Sequence, residues 1–321
     1  MRAPEFWQRD GYVPYMLTPA AALYAAITAR RMARPGWRAP VPVICCGNAT
    51  AGGAGKTTLA LDLGARLAAH RVGFLTRGHG GGVRGVHRVD PAGDGAALVG
   101  DEALLLAGCA PTWVAADRAA GARAAVAAGA GVLVMDDGLQ NPTIAKDFSI
   151  LVVDGGTGFG NGRVMPAGPL REPVAAAAAR CAVAVLIGDD RRLACAALPA
   201  GLPVLRARLE QQGIADLAGQ KVFAFAGIGI PEKFFAGLRA AGVVLAGTRA
   251  FPDHHPYTSA EITRLLARAA AAGALPVTTP KDAMRLPALL RARLRVAGVR
   301  LVWDDPAALD ALLAPLLGSP P

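Results

Sequence analysis

Thr50-Ala51-Gly52-Gly53-Ala54-Gly55-Lys56-Thr57 lies between the apolar run Val41 to Cys46 and a segment in which Leu59, Leu63 and Leu67 recur at helical spacing. A strand, a glycine-rich turn and a helix in that order predict a phosphate-binding loop. The glycines at 52, 53 and 55 let the backbone curl close to a phosphate chain, so that amides and a helix N-terminus face its charge. Lys56 is placed to reach the terminal phosphates and the Thr57 hydroxyl to hold Mg²⁺. Thr50, Ala51, Gly52, Gly53, Ala54, Gly55, Lys56 and Thr57 are therefore the expected nucleotide contacts. Thr50 replaces the first glycine of the usual pattern, and Ala51 stands where deviant P-loop ATPases carry an extra lysine, which points to an unusual branch of the class.

Outward from this loop, strand-length apolar runs alternate with helical patterns. They are Val41–Cys46, Val72–Thr76, Val132–Met135, Ile150–Val153, Ala182–Ile187, Val222–Ala226, Val243–Ala246 and Val299–Trp303. This alternation predicts an α/β fold of the P-loop NTPase type, with a mostly parallel sheet flanked by helices. The apolar pattern breaks at Arg206, Arg208, Glu210, Gln211, Gln212 and Gly213. The expected division is an N-terminal helix (1–38), a P-loop core (39–210) and a second, smaller α/β lobe (211–321).

The 321 residues carry a net charge of +10, nearly all of it arginine, since there are five lysines. Arginine forks suit phosphates and carboxylates, although an Ala- and Arg-rich genome accounts for much of the excess. No dense Lys/Arg run interleaved with aromatics suggests nucleic acid. The five cysteines form no Cys-x-x-Cys pair and no zinc spacing with the histidines, which fits a reducing compartment.

The mean hydropathy of +0.35 is high. The stretch from Val13 to Ala29 is broken by Pro14 and Pro19 and too short for a membrane span. It reads either as a helix packed on the core or as an interfacial helix. In the second case Trp7, Tyr12, Tyr15, Met16, Leu17, Leu23, Tyr24 and Ile27 dip into lipid while Arg30, Arg31, Arg34 and Arg38 meet anionic headgroups.

Val132 to Met135 ends in Asp136-Asp137-Gly138, the place where a P-loop enzyme sets its Mg²⁺-facing acid; either aspartate can serve. Asp101 opens a leucine-rich helix, where capping is its default role. Phe251-Pro252-Asp253-His254-His255-Pro256 is a proline-bracketed loop leading to a Thr258/Glu261 capping box. Its paired histidines suit hydrogen bonding or charge tuning better than metal ligation. Arg77, Arg163 and Arg171 sit in glycine-rich loops and point to anion contact.

These segments, with Gly47-Asn48, Thr76 to Gly81, Gly100-Asp101-Glu102, Asp136 to Gln140, Gly158 to Arg163, Pro166 to Pro173, Phe225 to Gly229 and Lys281-Asp282, together resemble the tetraacyldisaccharide 4'-kinase family. The resemblance implies transfer of the ATP γ-phosphate to the 4'-hydroxyl of a tetraacylated disaccharide 1-phosphate. The product is lipid IVA, made at the cytoplasmic face of the inner membrane by a peripheral or monotopic enzyme with no obligate protein partner evident. It implies Asp101 as the proton acceptor, assisted by His254 or by His255. Lys56 would then neutralise the transferring group, and Asn161, Arg163, Arg171, Arg77 and His255 are expected near substrate. Asn141, Ile230 and Pro280 depart from the family's usual histidine, asparagine and glutamate, and His79 from a frequent tyrosine. A P-loop GTPase or metallochaperone switch lacks support, because no Asn-Lys-x-Asp is present. A vestigial site is opposed by the intact Lys56, Thr57, Asp136 and Asp137.

Overall fold

The computed structural model describes residues 4–317. Nine strands form one sheet: β1 (Val43–Gly47), β2 (Val72–Thr76), β3 (Val86–Arg88), β4 (Thr112–Ala115), β5 (Val132–Asp136), β6 (Phe148–Asp154), β7 (Val183–Ile187), β8 (Val204–Gln212) and, after four strands of a second sheet, β13 (Gly298–Trp303). Their order is β13-β8-β7-β6-β1-β5-β2-β4-β3. All neighbours are parallel except the edge pairs β3–β4 and β8–β13. The parallel strands are buried on both faces, which is why β1, β2, β5 and β7 read as unbroken apolar runs. Ile44 and Cys46 of β1 face a core shared with Leu59, Leu63, Leu309 and Leu313. Val43 and Cys45 face the opposite core, with Leu133, Met135, Leu151 and Leu186.

The second sheet holds β9 (Lys221–Ala226), β10 (Val244–Ala250), β11 (Leu275–Thr278) and β12 (Arg295–Val296), all parallel in the order β10-β9-β11-β12. Helix Pro231–Ala240 covers one face through Phe234, Phe235 and Leu238, and helix Ser259–Ala271 covers the other through Ile262, Leu265 and Leu266.

Two features differ from the sequence-based division. The polar run 206–212, read as the break between the lobes, is most of β8, paired with β13 from Ala207↔Trp303 to Gln212↔Gly298. Beyond its short pairing with β7 the end of β8 is largely exposed and correspondingly hydrophilic, while β13 keeps Leu301 and Trp303 buried. The chain after β12 also returns to the first sheet. Trp303 donates to Asp62 at 3.1 Å, and Leu309 and Leu313 of helix Pro306–Leu317 enter the P-loop core. The small lobe is thus an insertion on a two-stranded stalk, and 298–317 belong with the large sheet.

At the N-terminus, helix Thr18–Met32 buries only Ala21 and Thr28. Among the described residues no helix is long and apolar enough to cross a membrane.

Candidate active site

The phosphate loop leaves the C-terminal end of β1 at the centre of the sheet, the crevice where open α/β sheets bind ligands. Gly55 turns the chain at φ +89°, a conformation natural to glycine, and helix Lys56–Arg66 starts at once. Lys56 is 8% exposed and donates to Asn48 Oδ1 at 3.1 Å and to the Gly52 carbonyl at 3.3 Å, pinning the loop in its curled form. Space beyond the Cα atoms of Gly52 and Gly53 is open.

β5 lies beside β1 in the register Cys46↔Asp136, which brings the Asp136 carboxylate to the Thr57 hydroxyl, donating at 2.8 Å. Its other oxygen, Oδ1, is buried without a hydrogen-bond partner. Burial, reinforced by the charge of Glu102, pushes this carboxyl up to about 7. An orphaned carboxylate oxygen next to a threonine hydroxyl suits a hard cation, and the Mg²⁺ site that the P-loop implies fits these residues.

Asp137 sits at φ +56°, a strained position for a non-glycine residue. Arg171 grips its carboxylate with both Nη atoms at 2.7 and 3.1 Å, and Lys56 stands 3.7 Å away. Burial opposes its ionisation, but Lys56 and Arg171 hold the carboxyl below its ordinary range. Arg171 is itself positioned because its segment runs against the P-loop, with Arg171 N donating to Ala49 O at 2.7 Å. Gln140 ties the two together, donating to Asn48 O and to Glu172 Oε1.

Asp101 begins helix Asp101–Ala107, after Gly100 at φ +87°. A Cβ on Gly100 would meet the His79 carbonyl at 2.6 Å, so this entry to the helix requires glycine. The helix packs against both the P-loop helix and the small lobe's helix Pro280–Met284. Asp101 is 2% exposed; its Oδ2 meets His254 Nδ1 at 3.1 Å and accepts from Arg285 Nε at 2.9 Å, while Oδ1 accepts from Glu102 N at 2.8 Å. Burial works to raise this carboxyl, but the His254 hydrogen bond and the charges of Arg285, His254 and Lys281 bring it down to about 2. His254, at φ +55°, is raised by its bond to Asp101 against the opposing effect of burial. The pair lines a cleft of about 560 Å³ with His79, Tyr257, Met284 and Arg285, at the seam of the two lobes.

The signs of these shifts set a pH dependence. Stability from the raised His254 is fully present below its unfolded value of about 6.5 and is lost as pH climbs through the folded value. Asp101 contributes above about 4, and that contribution is lost only as pH falls toward 2. The melting temperature of the wild type is therefore expected to fall more steeply than that of His254→Gln as pH rises above about 6.5. Parallel curves in a thermal melt series would remove this pair as the source.

Of the other residues expected near substrate, Asn161, Arg163 and His255 are bonded to the protein's own groups. Asn161 Nδ2 donates to the carbonyls of Phe6 and Ala167, and its amide donates to Trp7 O, so it clamps the N-terminal segment. Arg163 pairs with Asp10 at 2.8 Å. His255 bonds Glu261 Oε1 at 3.2 Å and stacks on Phe251 at 4.7 Å, inside the small lobe. Arg171 serves Asp137. Arg77 is exposed and forms no ion pair or side-chain hydrogen bond among the described residues. Asn48, Gln140 and Glu172 stood inside motifs already singled out. Arg285 did not, and its only sequence signal was its place one helical turn after Lys281-Asp282.

Comparison with known proteins decides the family. The model of the tetraacyldisaccharide-1-P 4'-kinase family matches residues 13–317. The chain belongs to that family. Tetraacyldisaccharide 4'-kinases of Gluconacetobacter diazotrophicus and Rhodospirillum centenum are 61% and 57% identical to it, over 98% and 99% of this chain and 97% of each relative. Among solved structures, LpxK of Aquifex aeolicus, crystallised in complex with ATP, superposes with a TM-score of 0.78 at 25% identity, covering 96% of this chain and all of that one. The tetraacyldisaccharide-1-P 4'-kinase family therefore accounts for the large sheet and the inserted lobe together.

Proposed function

We propose that the chain transfers the γ-phosphoryl group of ATP to the 4'-hydroxyl of a tetraacyldisaccharide 1-phosphate in lipid A biosynthesis. Family membership and the ATP complex of the Aquifex aeolicus structure support the substrates. The observation that carries the chemistry is the state of Asp101. A carboxylate offers about four lone-pair positions. Three are used, by His254, Arg285 and the Glu102 amide, and the remaining one, on Oδ1, is free for a hydroxyl entering the cleft.

In the transfer, the 4'-oxygen bonds to the γ-phosphorus, the bond to the β,γ-bridging oxygen breaks, ADP departs and the hydroxyl proton passes to Asp101. A carboxyl held near 2 is a weak base, which suits a loose transition state in which the proton leaves late. Its larger task is to aim the hydroxyl. His254 fixes the carboxylate and is ready to share the proton. Lys56 offsets charge on the transferring group, the largest part of catalysis in this class. Thr57 and Asp136 would hold Mg²⁺ directly or through water, and the bound ion would neutralise phosphate oxygens. Asp137, occupied by Arg171 and Lys56, orders the floor of the site instead.

The deciding experiment supplies γ-labelled ATP and a defined lipid disaccharide 1-phosphate in detergent. Label is expected on the lipid, dependent on Mg²⁺ and absent with a chelator. ATP hydrolysis without lipid labelling would defeat the reading.

We also propose that the N-terminal segment rests on the cytoplasmic face of the inner membrane. Its helices present Tyr12 (76% exposed), Tyr15, Met16, Leu23 (64% exposed) and Ile27 to solvent, with Arg30, Arg31 and Arg34 at the trailing end. Flotation with anionic vesicles is expected to capture the protein, and Leu23→Glu with Ile27→Glu to release most of it. Retention of that double variant would move the contact elsewhere.

A further inference from the structure

We infer that Arg285 is a positioning residue through which the small lobe completes the proton acceptor; the inference rests on Asp101 taking the hydroxyl proton. The large lobe supplies Asp101, but both partners of its Oδ2 come from the small lobe. Arg285 caps the short helix Pro280–Met284 with its side chain 7% exposed. Its Nε meets Asp101 at 2.9 Å, both Nη atoms donate to the Gly227 carbonyl at 3.1 Å, and Nη1 also reaches the His255 carbonyl at 3.4 Å. Asp282, fixed by the Tyr257 hydroxyl at 2.8 Å and the Gly227 amide at 2.9 Å, backs the guanidinium at 3.2 Å.

The Gly227 carbonyl is also the acceptor for the His254 amide, at 3.1 Å. One planar fork therefore holds the carboxylate and the turn on which strained His254 is carried. Lysine, with a single compact head, cannot span Asp101, Gly227 and His255 together. The other polar groups around Asp101 are Lys281, paired with its neighbour Glu102, and His79, whose ring lies 5.4 Å from that of His254. Neither replaces the fork. The proton acceptor is thus assembled across the seam and is complete only when the small lobe is seated.

The test uses the full-length enzyme in the lipid-labelling assay, with Arg285→Ala, Arg285→Lys, His254→Ala and the double variant Arg285→Ala/His254→Ala. Arg285→Ala is expected to lower kcat about thirtyfold with KM for ATP within threefold, and Arg285→Lys to recover only part of that loss. In the His254→Ala background the further loss from Arg285→Ala is expected to shrink below about threefold, because the turn it holds then carries no imidazole to aim at Asp101. A kcat within twofold of wild type, or losses that multiply in the double variant, would overturn the inference. If Arg285→Ala does not fold, Arg285→Lys decides alone: a wild-type kcat at wild-type melting temperature overturns the proposal, and a loss of about tenfold at that melting temperature supports it. Failure of the underlying reading is separate, since wild-type enzyme would then leave the lipid unlabelled or Asp101→Asn would turn over normally.

Discussion

Asp101→Asn is expected to lower kcat for lipid phosphorylation by about a thousandfold while leaving KM for ATP within about twofold, the signature of an interaction made with the reacting hydroxyl. Asparagine keeps the shape of the side chain and, with its oxygen in the Oδ1 position, can still accept from the Glu102 amide, while its NH2 group takes the place of the oxygen that accepts from Arg285 Nε. What it loses is the negative charge and the ability to take a proton. The same change leaves the Arg285 guanidinium and the His254 ring facing a neutral amide in a buried seam, so a fall of several degrees in melting temperature accompanies it. Kinetics measured well below that temperature separate the two effects. Turnover close to wild type would make Asp101 a helix-start and lobe-docking residue only, and the proton would need another acceptor.

That alternative, the capping role, was the natural sequence reading of Asp101, and the reason shows where sequence alone falls short. An aspartate at the start of a helix has a local use that needs no partner from elsewhere. Its functional surroundings come from residues 153 and 184 positions away, brought together by folding of the inserted lobe. The phosphate loop is the opposite case. All its components are consecutive, the strand before it is buried on both faces, and the helix after it carries a regular leucine stripe, so loop, strand and helix were legible together.

The expected site residues that lie away from the cleft share a physical setting. Asn161, Arg163 and His255 lie in glycine- and proline-rich loops, where polar side chains can serve a ligand or satisfy the chain's own groups. Here they do the second, bonding the carbonyls of Phe6 and Ala167, the carboxylate of Asp10 and the carboxylate of Glu261. The strands that escaped notice are short or polar: Thr112–Ala115 has four residues, Leu275–Thr278 contains Pro276, and the far half of Val204–Gln212 sits in a ribbon with little apolar cover. Hydrophobic periodicity reports burial, and the exposed, polar end of β8 has little to report. The return of 298–317 to the first sheet is a fact of topology and leaves no local mark on the sequence.

Lys56→Met is expected to reduce kcat/KM for ATP by at least about a thousandfold, the scale on which removal of a charge-stabilising donor acts at a transferring phosphoryl group. The geometry makes Lys56 more than a free cation. Its ammonium holds Asn48 and the Gly52 carbonyl, and so the curl of the loop, and it stands beside Asp137. Methionine conserves the stem, so packing against the sheet is retained while the charge and three donors are lost. Without that charge the Asp136 carboxyl, already pushed up to about 7 by burial, moves higher, and the ionised form needed beside Thr57 becomes scarcer at neutral pH. Two losses therefore compound: weaker capture of the phosphate tail and weaker affinity for Mg²⁺. The second is measurable without turnover, as a raised Mg²⁺ requirement for retention of a fluorescent ATP analogue, and it should ease as pH rises and Asp136 ionises. A Lys56→Met protein that labels lipid at the wild-type rate would show that this loop does not hold the transferring group, and the phosphate site would have to be sought elsewhere along the crevice.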